Sequence, residues 1–399
     1  MTDQLVAEAS RPGVYWDPYD TEIDTTPYEV WRALRDTAPV YHNEKYDFYA
    51  LSRFADVEDA SRQPLLFSSS HGTVLEMMGP EPYQTGMMIF NDPPRHTELR
   101  TLVSRAFTPR RVAAVEPWLR EQCRRMLAAW DGGEFDLVEQ FGRLLPAQTI
   151  AELLEVPAAD RERVHHDIDE SFHLEADKGM INDVSAAAMG RVSVYLNELV
   201  AQREAHPGDD LISALTQTEL THQEVVEFTT LLIMAGTETV GKLIGWAGIL
   251  LGEHTDQQAW LRDNPDGVPA AVEELLRYEA PSPVNGRWTT APVELHGVTI
   301  PADSKVLLLT GSAGRDERVY PDAHVFDVRR KFERHLSLGY GAHFCVGAAL
   351  ARLEGRVAVE ETINHAAAFG GFVSDRAAST PIHTSTVRGW ESVRVRGAG

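Results

Sequence analysis

Leu338-Gly339-Tyr340-Gly341-Ala342-His343-Phe344-Cys345-Val346-Gly347 is the stretch on which the reading of this chain turns. Two glycines precede a lone cysteine, and a third follows two residues after it. From Val346 onward apolar residues recur at Leu350, Leu353 and Val357, in steps of four, three and four, which predicts a helix. Cys345 therefore stands where a glycine-rich loop enters a helix. Backbone N–H groups and the helix dipole favour negative charge there, so the cysteine is readily held as thiolate. A thiolate is a strong ligand for a soft or redox-active metal. The small residues around it let a flat cofactor approach the backbone closely. The plainer reading, a buried core cysteine beside a helix cap, suits an isolated cysteine. The glycine spacing, His343 and the amphipathic helix favour the ligand instead.

The stretch resembles the haem-binding loop of the cytochrome P450 family of haem-thiolate mono-oxygenases. The family pattern is Phe-x-x-Gly-x-x-x-Cys-x-Gly, usually with a basic residue two before the cysteine. The chain matches at Gly341, His343, Cys345 and Gly347 and departs at Leu338, which is apolar but lacks the ring. The resemblance implies a non-covalent haem b with the Cys345 thiolate as the metal ligand. It places Leu338, Gly339, His343 and Gly347 in the cofactor-binding loop.

Composition sets bounds. With 399 residues, 43% of them hydrophobic, the chain can bury a large core. A formal net charge of −23 argues against nucleic acid and against an anionic membrane surface as partners. Two cysteines, Cys123 and Cys345, exclude a disulfide scaffold and a cysteine-rich zinc site. Neither lies in a Cys-x-x-Cys-His run, which excludes covalent c-type haem. The start, Met1 to Pro12, is polar and has no apolar signal core. A cytoplasmic protein in a reducing compartment is expected. No linker or repeat divides the chain, so residues 1–399 are read as one domain, with 1–14 a flexible start. Only five basic residues are lysines (Lys45, Lys178, Lys242, Lys305 and Lys331), a coding bias that suggests a GC-rich bacterial source.

Taken in order, Tyr46 to Leu51 alternates and reads as a strand. Ser68 to Pro94 is rich in Gly, Pro and Ser, with Met77, Met78, Met87 and Met88 interleaved. It reads as a long loop whose methionines form an adaptable contact surface or fill core gaps; both readings stand. After Asp92-Pro93-Pro94 a helix starts, with His96 and Arg100 four apart on one face. In the resembled family this pair reaches a haem propionate, and the match runs through Phe107-Thr108-Pro109. Cys123, on a helix from Val112 to Trp130, is read as structural. Phe141 to Pro207 reads as helix, loop, helix, with a break around Lys178 to Asn182.

Thr221-His222-Gln223-Glu224 is a capping box that opens a helix to about His254, ~50 Å long. Its middle carries Ala235-Gly236-Thr237-Glu238-Thr239. Thr239 is expected to bond back to a carbonyl and bend the helix. By itself this could be a surface acid beside a packing glycine. The resemblance makes it the oxygen-activation motif, with Glu238 and Thr239 catalytic and Ala235 against the haem. Glu274 and Arg277, three apart on a helix from about Pro269, match the family's structural Glu-x-x-Arg pair, with a third partner expected in Arg329 or Arg330. Arg287, on a strand, is expected at a propionate. Gly314-Arg315-Asp316 resembles the family's Asn-Arg-Asp with glycine replacing asparagine. Gly371 to Arg396 reads as a final hairpin.

The expected fold is mainly α with smaller β sheets, the cytochrome P450 fold: a helix-rich and a β-rich lobe with haem between two central helices. The implied activity is mono-oxygenation with O2, hydroxylation or epoxidation of a small apolar substrate. A haem-thiolate sensor or carrier and a peroxide-driven enzyme are the alternatives; the intact Glu238–Thr239 pair counts against both. By position in the family's pocket segments, substrate contacts are expected from Met87, Ile89, Leu231, Met234, Ala235, Pro283, Val284 and Thr386. The chain has no flavin or iron–sulfur motif, so electrons are expected from a separate ferredoxin and ferredoxin reductase. Arg105, Arg110, Arg111, Arg334, Arg352 and Arg356 form the expected docking patch, unless they pair with local glutamates such as Glu354. A monomer is expected.

Overall fold

The computed structural model describes residues 13–171 and 182–399. Of the expected flexible start, residues 1–12 lie outside the described residues, as do Lys178 to Ile181 of the expected break. The break ends at Asn182, whose side chain caps the helix Asp183–Ala205.

Helices dominate, and the longest, His222–Glu253, runs through the main core. Its start follows the capping box: Thr221 Oγ1 accepts from the Glu224 N–H at 3.3 Å, and Glu224 Oε2 accepts from the Thr221 N–H at 2.8 Å. Its second half packs tightly because it carries glycines where neighbours come closest. A Cβ on Gly248 would meet Leu137 at 2.5 Å, and one on Gly252 would meet the Ser374 backbone nitrogen at 2.5 Å. The helix after the cysteine, Ala348–Ala366, touches it where Gly355 faces Leu243. Among the described residues no helix is long and apolar enough to cross a membrane.

The five-stranded sheet has its own apolar clusters, whereas the terminal hairpin packs on the long helix within the main core. The five strands run in the order Val40–Asn43, Phe48–Leu51, Lys305–Leu309, Val284–Thr289, Phe67–Ser68. Only the Phe48–Leu51 and Lys305–Leu309 pair is parallel. Phe372–His383 and Arg388–Gly397 form the expected terminal hairpin, joined by Phe135–Asp136. The strand expected from Tyr46 begins at Phe48, because residues 44–47 form the turn. The helix expected over Val112 to Trp130 is two helices, Pro109–Ala114 and Glu116–Leu127. Pro117 explains the restart: it has no N–H to continue the first helix but fits the first turn of the second. Cys123 is fully buried in the core, as a structural cysteine should be.

Glu274 and Arg277 are both wholly buried and form a bidentate pair at 2.6 and 2.7 Å. The third partner is Arg330, 3.2 Å from Glu274, while the exposed Arg329 turns to Asp327. Glu354, by contrast, pairs with no arginine among the described residues. It lies in the core beside Thr149, 1% exposed, with Oε1 unpartnered. Burial pushes its carboxyl up to about 8, with Thr149 acting in the opposite sense. Between its unfolded value and about pH 8 the folded chain keeps a proton that the unfolded chain has lost, so stability falls as pH rises through this window. Glu354→Gln should remove that slope. Wild type is expected to lose roughly 3–5 kcal/mol relative to the variant between pH 4.5 and 8, read from urea midpoints at each pH. Parallel pH profiles would show that Glu354 does not hold the proton.

Candidate active site

The cysteine loop is closed by its own backbone. The Cys345 N–H donates to Leu338 O at 2.8 Å, and Gly339 N to Leu336 O at 2.9 Å. Gly339 and Gly341 take φ of 72° and 68°, the left-handed region that favours glycine. At Gly341 a Cβ would also meet Ser61 O at 2.4 Å, so no other residue fits there. The usual ring position, Leu338, is half-buried against the main core. The helix begins at Ala348, with Gly347 as its cap. The Gly347 N–H bonds the half-buried Cys345 sulfur. Burial raises the Cys345 thiol above its usual range, and the Gly347 N–H, Arg100 and Arg352 draw it back down. The neutral thiol is thus favoured by burial, and the thiolate by the groups aimed at it.

Beside the loop, four nitrogen-bearing side chains from three segments gather. His96 and Arg100 come from the helix Arg95–Ala106, Arg287 from the strand Val284–Thr289, and His343 from the loop itself. The His96 and His343 rings lie 4.3 Å apart. Arg100 Nη1 donates to Phe344 O at 2.7 Å, tying the helix to the loop. Among the described residues neither Arg100 nor Arg287 has an ion pair within 4 Å; Arg287 donates to its neighbour's carbonyl, Gly286 O, at 2.6 Å. His96 Nδ1 and His343 Nε2 are buried with no hydrogen-bond partner. Burial, with Arg287, His96 and Arg100 nearby, pushes the His343 imidazole down to about 2, so it is neutral. Burial lowers the Arg287 guanidinium to about 10. Unpaired guanidiniums and orphaned ring nitrogens of this kind call for an anion with several acceptor oxygens. The donor set fits the two propionates of a haem whose iron would sit at Cys345.

One face of the long helix is left uncovered by side chains. Ala235 is exposed, and Leu231, Met234, Glu238 and Thr239 are half-buried, whereas Ile233, Val240, Leu243 and Ile244 are buried. Residues 231, 235, 238, 239 and 242 share that face by helical spacing. Thr239 Oγ1 donates to Ala235 O at 2.9 Å, the back-bond expected from the sequence. Burial raises the Glu238 carboxyl, and Lys242 one turn on pulls it down.

The expected pocket residues are brought together only in part. Thr386 Oγ1 donates to Val284 O at 3.0 Å, so these two are neighbours. Met87 and Ile89 are half-buried on either side of Met88, which is sunk in the core. Pro283 packs its Cβ against Gly311, beside Trp31. The docking arginines are mostly committed elsewhere. Arg105 pairs with Glu219, Arg111 with Asp209, Arg334 with Glu58, Arg352 with Glu273, and Arg356 with Glu116. Arg110 alone of the six has no ion pair among the described residues. Two acids at the site escaped the sequence reading. Asp92, which accepts from Ser69 N at 2.9 Å, is the carboxylate acting on Arg287; the Asp-Pro-Pro motif pointed to its place but not to its partner. Glu227 binds the methionine loop, and nothing in the sequence signals that contact.

Residues 180–365 match the family model for cytochrome P450. The chain is 36% identical over 395 residues to a putative cytochrome P450 123 of Mycobacterium tuberculosis, covering 97% of this chain and 98% of that one. It is 39% identical over 355 residues to an erythromycin C-12 hydroxylase of Saccharopolyspora erythraea, covering 86% and 87%. A solved structure of open cytochrome P450 EryK from S. erythraea superposes with a TM-score of 0.86 at 35% identity, covering 94% of this chain and 96% of that one. The chain belongs to the cytochrome P450 family, has its α+β fold, and is a P450 mono-oxygenase.

With a haem propionate at each guanidinium, removing Arg287 or Arg100 would leave a carboxylate without its charged donor, a loss of about 1.5–3 kcal/mol for each. Arg287→Ala is expected to speed haem transfer to an apo-globin acceptor by roughly tenfold or more. Unchanged transfer rates in both variants would remove these arginines from the cofactor site.

Proposed function

We propose that this enzyme inserts one oxygen atom of O2, by hydroxylation or epoxidation, into a small apolar substrate, using a non-covalent haem b held by Cys345. Electrons come from a separate ferredoxin served by its reductase. The working form proposed is one unit spanning 1–399, cytoplasmic and monomeric. The observation that carries the reading is Thr239 beside Glu238 on the uncovered face of the long helix, with the threonine hydroxyl bonded to Ala235 O. A sensor or carrier needs Cys345 and the four nitrogen donors but not this pair.

When bound, a thiolate-ligated haem supplies the oxygen chemistry, because the thiolate favours O–O cleavage. The side chains do the rest. His96, Arg100, Arg287 and His343 orient the cofactor through its carboxylates. Thr239 donates its proton to Ala235 O and keeps its oxygen lone pairs free to accept from a water. Glu238, with its carboxyl raised by burial, holds a proton closer to neutral pH than an exposed glutamate would and can pass it on. Met87, Ile89, Leu231, Met234, Ala235, Pro283, Val284 and Thr386 are the proposed substrate contacts. None is charged, which suits an uncharged or weakly polar compound. The relative named for erythromycin hydroxylation supports hydroxylation as the reaction.

The ferrous–CO spectrum tests the class: absorption at the thiolate position is expected, and a histidine-type band would overturn the Cys345 assignment. Thr239→Ala should keep that band while product formed per electron pair falls by roughly tenfold or more. Undiminished coupling would return the case to a peroxide-driven enzyme.

The electron donor has its own test. With five of the six arginines paired, charge steering should be modest and centred on Arg110. Arg110→Glu should slow ferredoxin-driven haem reduction several-fold at low salt, the difference fading as the Debye length shrinks from ~10 Å at 0.1 M to ~3 Å at 1 M. A flat salt profile in both proteins would rule out electrostatic docking.

A further inference from the structure

The methionine loop is fastened to the long helix at one place, and the fastening uses a carboxylate. Glu227, in the second turn of the helix, accepts at Oε2 from Thr85 Oγ1 at 3.0 Å and from the Gly86 backbone N–H. Its other oxygen accepts from Gln223 at 2.9 Å. Around this point the loop folds on itself. Met87 N donates to Thr85 Oγ1 at 3.1 Å, and Asn91 Nδ2 donates to Thr85 O and Met87 O at 2.9 and 2.8 Å. Gly86 sits so close to the helix that a Cβ would meet both Glu224 Cγ and Glu227 Oε2 at 2.7 Å. One turn earlier Arg95, at the start of the next helix, pairs with Glu224. On the other side, Pro80 to Gln84 are exposed. The segment that follows the fastening is Met87-Met88-Ile89.

We propose that Glu227 is a specificity-determining positioning residue: its carboxylate clamps Thr85 and Gly86 to the long helix and thereby fixes Met87 and Ile89 as one wall of the substrate pocket. A carboxylate accepting from a backbone N–H and a hydroxyl makes stronger bonds than a neutral acceptor. As the hydrogen-bonded link between this loop and the long helix, it sets, together with the buried Met88, how far Met87 and Ile89 stand from the helix. Loosening it widens the pocket on that side and admits larger ligands at the cost of discrimination. Glu227 touches neither substrate nor cofactor; it acts through the loop. The inference rests on the pocket assignment of Met87 and Ile89 made above.

The test uses the haem-loaded enzyme and two readouts. Hydrogen exchange at the Gly86 and Met87 amides is compared in wild type, Glu227→Ala, Glu227→Gln and Thr85→Val. Spectral titration then compares imidazole with 4-phenylimidazole. Glu227→Ala should speed Gly86 exchange at least tenfold and shift the ratio of the two affinities at least fivefold, leaving imidazole itself within twofold. Glu227→Gln, which keeps an acceptor oxygen, should recover part of both effects, and Thr85→Val should give a smaller change in the same direction. Unchanged Gly86 exchange in Glu227→Ala overturns the clamp. Faster exchange with an unchanged affinity ratio overturns its role in specificity. Failure of the mono-oxygenase reading would show instead in the ferrous–CO spectrum, which neither readout uses.

Discussion

Arg277 is buried without access to water, and the segment leading into the cysteine loop is arranged around satisfying its guanidinium. Two of its bonds go to Glu274 and the others to the carbonyls of Gly314, Ala323 and Val325. A charge so placed is costly unless each donor is met, and the structure meets it by wrapping residues 314–330 round one helix end. Glu274 in turn accepts from the Asp327 N–H at 3.0 Å and from Arg330. The glycine at 314, where the family usually has asparagine, follows from the same geometry. A Cβ there would meet Arg277 O at 2.4 Å. From this wrapped segment the chain runs straight into the cysteine loop, and the same helix catches it again. Ser337 donates to Leu276 O at 2.5 Å. Glu273 binds His335 on one side of the loop and Arg352 on the other. Burial would raise the Glu273 carboxyl, but these two partners hold it down to about 2. One helical turn thus fixes both approaches to Cys345.

A second buried carboxylate does the same for the opposite wall. Glu279 accepts from Arg315 at 2.6 Å, Arg388 at 3.1 Å and the Tyr28 hydroxyl at 2.5 Å. Arg315 lies over the rings of Tyr28 and Tyr278, and Arg388 also donates to Asp24 O. The link joins the first helices to the start of the strand Arg388–Gly397. Two residues before that strand, Thr386 meets Val284. The cysteine side and the hairpin side of the site therefore hang from Glu273, Glu274 and Glu279 on one short stretch of chain.

The motifs with short sequence spacing were legible because local geometry decides them. The capping box at Thr221, the Glu274–Arg277 pair and the Thr239 back-bond each need only three or four residues of helix. The choice between Arg329 and Arg330 stayed open in the sequence because neighbours on an irregular segment point in different directions, and only the buried one reaches Glu274. Partners far apart in sequence were not legible. Glu227 meets Gly86 across 141 residues, and Arg352 meets Glu273 across 79. Glu354 is named in the sequence reading only as an alternative partner for the arginines, yet its own spacing places it inside. It is four after Leu350 and three before Val357, on the face that the periodicity marks as buried. A charged letter on an apolar stripe signals a buried group that is either paired, as Glu274 is with Arg277, or pushed toward its neutral form, as Glu354 is.

The charge balance inside the site explains why its four nitrogen donors are two arginines and two histidines. The chain is strongly acidic overall, so nothing in the bulk composition favours cations in its interior. Two guanidiniums supply two positive charges, which match the two carboxylates of the proposed haem. A third and fourth buried cation would exceed the charge of those two carboxylates, with Asp92 the remaining acid acting on the cluster, and would cost several kcal/mol. Imidazoles avoid that cost. Before any carboxylate is added, burial and the neighbouring arginines lower both His343 and His96, with Asp92 opposing at His96. A neutral imidazole still offers one N–H donor, with its tautomer set by whichever ring nitrogen finds an acceptor. The paired rings, 4.3 Å apart, can therefore add hydrogen bonds to the carboxylates without adding charge. On this proposal the basic residue two before the cysteine, His343, serves as a donor, and the positive charge is left to Arg100 and Arg287.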